Sequence, residues 1–209
     1  MVDRGAGRYH VVAVGQGTRL GNRIESQGVF RGGRWVPVRT LAWFDVAGRE
    51  VRSDLTYDYE GRTAHYQYRG ETFLLRRIRA ADDVLTIPPG LHLDDAFSAT
   101  LNYAEDLWPR DPDGTYRTHV VRRRRPETEG PDDVQRHYRA EIVPFELRVA
   151  PDPETGKPAA HFDLTRFSSW ARESRPGRIL FGADRRPERI VASLALGSSV
   201  TIRIKNAPG

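Results

Sequence analysis

The sequence predicts an all-β fold with one helix, in which a curved antiparallel meander sheet forms an open β-barrel wrapped on that helix. Apolar and polar residues alternate with period two through most of the chain, as in half-buried strands. Turn sequences such as RGGR, VAGRE and YEGR separate the alternating segments, so neighbouring strands are expected to pair as antiparallel hairpins. A single segment shows helical spacing.

Composition limits the class of protein. The 209 residues are enough for one large domain, and we predict a single antiparallel β domain over 1–209. No apolar run approaches the roughly 20 residues that a transmembrane helix needs, so no transmembrane segment is expected. The chain is expected to be either cytosolic or an exported form whose signal was removed. The absence of cysteine excludes disulfides and thiolate metal sites.

Alternation predicts five strands before the helix. The fifth is followed by a predicted turn at Asp82 and Asp83, and the sequence IPPG then breaks the pattern. These strands are predicted near 9–13, 35–43, 51–59, 65–68 and 73–78.

The segment LHLDDAFSATLNYAEDLWP predicts the helix, near 94–107. Its apolar residues recur at helical spacing, Asp94 or Asp95 supplies the N-cap, and Pro109 stops it. The remainder returns to strands near 115–124, 135–149 and 159–167. A meander then closes the chain, with a turn at 184–186 and a strand that opens at Pro187.

Several motifs resemble an uncharacterised family of bacterial exported proteins, domain of unknown function 3108. GRYHVVAVGQGT matches its early Tyr-x-Val strand, ESQGVF the Ser-x-Gly segment that follows, and RWVPVRT its aromatic-Pro strand. PPGLHLDDAFSATLNYAEDL matches the opening of its helix. FGADRRPERIVASLALGSSVTIRI matches its closing signature. The resemblance implies a periplasmic or otherwise exported protein. It also implies a shape similar to the lipoprotein carriers and receptors of the envelope, with an apolar hollow.

Aromatic residues at alternate positions are the candidate ligand contacts. On an open sheet face they could hold an acyl chain or stack on sugar rings. The competing interpretation, which we favour, is that these residues form cross-strand pairs and pack in the core. The candidates are Trp43, Tyr57, Tyr59, Tyr66, Tyr68, Phe73 and Trp108.

The densest positive charge lies at 122–125. Alternation directs Arg122 and Arg124 to one face, where guanidinium groups could contact a phosphate or another anion. A solvated strand end is the competing interpretation, because acidic residues follow directly. The net charge of +5 suggests nucleic acid, but the basic residues are interleaved with acids throughout, so such a partner is not expected.

No catalytic constellation is evident. The six histidines lack metal-ligand spacing, and Ser98 lies within the predicted helix instead of on a strand-to-helix elbow. The helix acids are explained by capping. We therefore predict no metal and no cofactor, and we favour a protein that is not an enzyme.

Three functions stay open. The leading one is an exported carrier that holds a lipid or other amphiphile of the cell envelope, which an apolar hollow would support. The alternative is an enzyme acting on an envelope polysaccharide or lipid-linked glycan, which a groove of Tyr, His, Arg and acidic residues would support. The third is a structural module of an envelope assembly, with an edge strand that pairs with a partner chain.

Overall fold

The computed structural model describes residues 1–17, 20–72, 74–124, 126, 128–130, 132–163, 177–193 and 199–203. The chain divides into two compact units. Unit 1 comprises Met1–Ser98 and His119–Val143, and unit 2 comprises Ala99–Thr118 and Pro144–Gly209. The single domain over 1–209 stays a prediction beside this division. The described residues are mostly strand, with one helix and two antiparallel sheets, so the predicted fold class is confirmed.

The first sheet is a seven-stranded meander within unit 1. Its strands follow one another in chain order, and every neighbouring pair is antiparallel, as the short turns predict. The strands are β1 (Val2–Asp3), β2 (Arg8–Gly17), β3 (Leu20–Arg31), β4 (Arg34–Val46), β5 (Glu50–Asp58), β6 (Thr63–Glu71) and β7 (Ile78–Thr86).

Strand β3 is a long strand that alternation does not reveal. Its core-facing side includes Asn22 and Ser26, which are polar yet only 6% and 0% exposed. The Ser26 hydroxyl satisfies its hydrogen bonding with Tyr9 Oη at 3.0 Å. Because both faces of β3 carry polar residues, period-two hydropathy disappears even though the strand is long.

The prediction of a strand over 73–78 with a turn at Asp82 and Asp83 is wrong. The turn is at Leu74 and Leu75, whose N–H groups both donate to Asp132 Oδ1, at 2.9 and 2.6 Å. The strand begins only at Ile78, and both aspartates lie within it. A long-range carboxylate thus fixes the turn, and the two leucines within the turn give a misleading strand signal.

The predicted helix is confirmed as α1 (Ala96–Ala104). Asp95 is its N-cap, since Oδ1 accepts the N–H groups of Phe97 and Ser98 at 2.9 and 2.7 Å. Ser98 Oγ in turn accepts the Asp95 N–H at 3.0 Å, which completes a reciprocal capping box.

The helix ends before the predicted stop at Pro109. The Leu107 N–H donates to the Asn102 carbonyl at 2.8 Å, and the Asp106 N–H donates to the Tyr103 carbonyl at 3.3 Å. With Asp106 at φ 59°, these bonds form a Schellman motif that satisfies the last carbonyl groups. Local capping therefore ends the helix, and the proline lies outside it.

The second sheet has six strands: β8 (Thr115–Arg123), β9 (Ala140–Pro151), β10 (Pro158–Phe162), β11 (Gly177–Phe181), β12 (Pro187–Ser193) and β13 (Ser199–Arg203). Their order in the sheet is β13-β12-β11-β10-β9-β8. The closing meander is confirmed: Pro187 is the first residue of β12, and in the turn before it the Gly182 N–H donates to the Arg186 carbonyl at 2.8 Å. Positions 164–167 of the predicted strand 159–167 lie outside the described residues.

Each unit has its own hydrophobic core. The core of unit 1 is formed by one face of the first sheet, with Leu55, Tyr57 and Tyr66 packed on Leu93 and Tyr138. The core of unit 2 is aromatic, with Tyr103, Trp108, Tyr116 and Phe181 at its centre.

Candidate functional site

An open groove of about 920 Å³ crosses the first sheet in unit 1. Side chains alternate between the two faces of a strand, so the register assigns each lining residue to a face. Tyr57 and Tyr66 point into the core, whereas Trp43, Arg52 and Arg69 belong to the opposite face. We call this opposite side the polar face of the sheet.

One row of directly opposed residues runs across the polar face. Arg23 of β3 lies opposite Trp43 of β4, Trp43 lies opposite Arg52 of β5, and Arg52 lies opposite Arg69 of β6. All four line the groove, and we call them the arginine row. Adjacent strands are about 4.8 Å apart, so three guanidinium groups and one indole share a narrow strip.

The next row along the strands is acidic and polar. Glu25 lies opposite Leu41, Leu41 opposite Asp54, Asp54 opposite Gln67, and Gln67 opposite Asp82. These five residues line the groove beside the arginine row. The polar face therefore carries charge in stripes, and the stripes can neutralise one another.

The stripes neutralise the arginine row only in part. Arg23 pairs with Glu25 at 2.9 Å, and Arg52 pairs with Glu50 at 2.8 Å. Within the part of the chain that the structure describes, neither Arg69 nor Arg136, which also lines the groove, makes an ion pair. Arg69 also lies directly opposite Arg52, an arrangement that destabilises a sheet unless an anion compensates it.

Two of the carboxylates that line the groove, Glu25 and Asp82, are held in the ionised form. Hydrogen bonds from Arg23 and then His10 keep the pKa of Glu25 below its usual value. A hydrogen bond from His65, and then one from Gln67, lowers the pKa of Asp82. General acid catalysis needs a carboxyl group whose pKa is raised, and these two have the opposite shift.

Four of the predicted aromatic contacts lie together in unit 1. Tyr57 and Tyr59 are stacked with ring centroids 6.0 Å apart, and Tyr66 and Tyr68 are stacked at 6.3 Å. Tyr57 and Tyr66 are buried within the core, Tyr59 and Tyr68 pack against it, and Tyr68 also reaches the groove. Trp43 lies on the other face of the same sheet, so the predicted set is divided between core and groove.

The remaining predicted aromatic contacts lie elsewhere. Trp108 belongs to the core of unit 2, where it is 2% exposed and its Nε1–H donates to the Arg117 carbonyl at 2.9 Å. Phe73 lies outside the described residues.

The predicted anion contacts Arg122 and Arg124 lie at the end of β8. Arg122 pairs with Glu141 at 2.8 Å, and the exposed Arg124 donates its backbone N–H to the Arg139 carbonyl at 2.7 Å. Neither residue lines the groove. Arg123, between them, points the other way and pairs with the buried Glu129 at 2.7 Å.

Sequence reasoning missed the arginine row. Its members are spread over four strands, and only the register brings them together. The one sequence signal is that an arginine and an acidic residue lie two positions apart, as do Arg23 and Glu25 on β3 and Glu50 and Arg52 on β5. Such spacing places opposite charges on one face of a strand.

No helix in the described part of the chain is long and apolar enough to cross a membrane. Comparison of the chain with protein-family models, with curated proteins and with solved structures finds no match.

Proposed function

We propose that the chain is a binding protein that holds the anionic, sugar-bearing part of a cell-envelope component at the arginine row of the polar face. The observation that carries this proposal is the arginine row, in which Arg52 and Arg69 lie directly opposite each other beside Trp43. Arg69 lies opposite Arg52 and makes no ion pair among the described residues, so it favours an anionic ligand. The aromatic ring of Trp43 in the same row suits a ligand that also contains a ring.

The row supplies two complementary contacts for an acidic glycan. The indole of Trp43 is half-buried and offers a surface on which a sugar ring stacks. The guanidinium groups bind a carboxylate or phosphate through two parallel hydrogen bonds. Asp54 and Gln67 in the neighbouring row provide acceptors and donors for hydroxyl groups.

Binding suits this site better than catalysis. Glycoside hydrolysis requires one carboxylic acid that stays protonated and a second that is ionised. Glu25 and Asp82 both have lowered pKa values, so neither supplies the protonated partner. We therefore retain the glycan ligand of the alternative hypothesis and propose that this groove binds it. Location in the envelope is proposed from the family resemblance.

Carriage of a lipid or other amphiphile is the second candidate. Leu74 and Leu75 are 68% and 59% exposed at the β6–β7 turn, which is unusual for adjacent leucines in a rigid turn. They favour an apolar portion in the ligand. Native mass spectrometry of protein purified without detergent tests this candidate, because a carrier is expected to retain a releasable amphiphile.

Calorimetric titration with oligogalacturonate, a uronate chain, tests the proposed function. We expect binding that weakens at high salt, and no binding of the neutral chain maltohexaose. Arg69→Gln and Trp43→Ala are each expected to weaken uronate binding at least about tenfold, the loss of one charge-assisted or stacking contact. Arg77→Gln is the matched control, since Arg77 is exposed and lies outside the groove.

Two results would contradict the proposal. One is equal affinity for the uronate and neutral chains, which would exclude recognition of the anion. The other is an equal effect of Arg69→Gln and Arg77→Gln, which would show that uronate binds through general surface charge.

A further inference from the structure

Strand β2 has an outer edge that is covered only near its start. On one side β2 pairs with β3 along its whole length. On the other side β1 reaches only as far as His10, whose N–H donates to the Met1 carbonyl at 2.8 Å. Among the described residues no strand pairs with this edge over positions 11–17.

The backbone groups of the open edge are oriented for pairing. N–H and C=O groups of alternate residues point to the same side of a strand. Because His10 directs its N–H toward β1, the groups of Val12, Val14 and Gln16 face the same way, away from β3. Three residues thus present a regular ladder of donors and acceptors.

This edge lacks the features that usually prevent association. Protective edges carry charged residues, proline or a bulge. The sequence VVAVGQG at 11–17 has no charge and no proline, and its register with β3 is continuous. Val12 and Val14 are 38% and 56% exposed beside the open ladder.

We propose that two copies of the chain pair antiparallel through this edge, around a two-fold axis at Val14. Position 14 is the midpoint of the open stretch, so Val14 of one copy faces Val14 of the other and Val12 faces Gln16. An antiparallel two-fold contact is self-complementary. Since the stretch is uncharged, no like charges meet, which favours a second copy over a charged partner strand.

The pairing has a consequence for the polar face. A two-fold axis perpendicular to an antiparallel sheet keeps the same face of both copies on one side. Val14 lies opposite Arg23, the first member of the arginine row. The two rows therefore lie on one face and in line with each other, separated at the axis by the Val14 residues of the two copies. The dimer itself does not depend on which ligand the groove takes.

Sedimentation equilibrium tests the dimer. We expect the wild-type chain to reach twice its 23.7 kDa mass as concentration rises. Val14→Lys is expected to leave a monomer, because two lysines would face each other at the axis. Val84→Lys is the matched control, since Val84 is 63% exposed on the polar face of β7 and lies away from the β2 edge. A wild-type monomer throughout, or loss of the dimer in both variants, overturns the proposal.

Disulfide crosslinking tests the register of the proposed dimer with variants that add no charge to the β2 edge. The native chain has no cysteine, so one introduced thiol reports a single contact. Directly opposed, hydrogen-bonded residues have Cα atoms about 5.5 Å apart, within the range for a disulfide. Val14→Cys is therefore expected to give a covalent dimer on mild oxidation. Val12 of one copy is offset by four residues from Val12 of the other, so their Cα atoms are about 14 Å apart. Val12→Cys is therefore expected to remain uncrosslinked. Equal crosslinking of the two variants overturns the two-fold axis at Val14.

Discussion

Glu129 places one buried carboxylate between two arginines of unit 1. Its side chain is 1% exposed, with Arg123 at 2.7 Å and Arg79 at 3.7 Å. Arg79 also donates to the Gly130 and Asp133 carbonyls, both at 2.8 Å. These contacts join the segment around residues 129–133 to Arg79 of β7 and Arg123 of β8. Arg136 and His137, which line the groove, follow this segment directly.

Replacing Glu129 is expected to be costly. Glu129→Gln removes the buried negative charge that lies between the two guanidinium groups, so we expect a loss of about 3 kcal/mol in the free energy of unfolding. Glu146→Gln is the control, because Glu146 is 48% exposed and its pair with Arg117 is worth less than about 1 kcal/mol. Urea unfolding measures both variants. Similar losses would show that the buried ion pairs of Glu129 stabilise the fold no more than the exposed pair of Glu146 does.

The N-terminus of α1 is stabilised by the side chain of Asp95. Asp95 caps two backbone N–H groups through Oδ1, and its Oδ2 accepts the Thr40 hydroxyl at 2.5 Å. Asp95→Ala removes all three bonds, so we expect a loss of about 1–2 kcal/mol in the free energy of unfolding. Asp95→Asn keeps a capping oxygen and is expected to lose less than half as much. Urea unfolding compares the two, and equal losses would mean that the cap contributes little.

Local signals explain which elements the sequence predicts. The helix has its N-cap, its capping partner and its apolar spacing within a few residues of one another, so it is recognised from the sequence. The β6–β7 turn is not recognised, because Asp132, which fixes it, is distant in the sequence. Strand β3 is not recognised for a different reason. Its core-facing residues Asn22 and Ser26 are polar, so a hydropathy pattern does not indicate that they are buried.

The candidate site is less predictable than the fold for the same physical reason. Aromatic residues are obvious candidates for ligand contacts in a sequence. In the structure, however, Tyr57, Tyr66 and Trp108 belong to the two hydrophobic cores. The arginine row depends on the register of four strands, and a shift of one residue in any of them would move its member to the core face. Only Trp43 belongs to both the predicted set and the row.

Ionised carboxylates in both units make the free energy of unfolding of the whole chain depend on pH in the acid range. Hydrogen bonds from Arg117 lower the pKa of Asp113 to about 2, and those from Thr155 help to lower the pKa of Asp152. Burial raises the pKa of Glu129, but its bond to Arg123 and the charge of that arginine lower it more. Glu25 and Asp82 shift in the same direction.

A lowered pKa in the folded state means that the unfolded chain binds more protons in acid. The stabilisation from these groups is therefore complete above the unfolded values of about 4 to 4.5 and is lost as the pH falls through the folded values. We expect the urea midpoint to drop steadily from pH 5 toward pH 2. Glu129→Gln, which no longer titrates there, is expected to show a shallower drop than Glu146→Gln, whose buried network is intact. A midpoint independent of pH below 5 would mean that these carboxylates interact no more strongly in the folded chain than in the unfolded one.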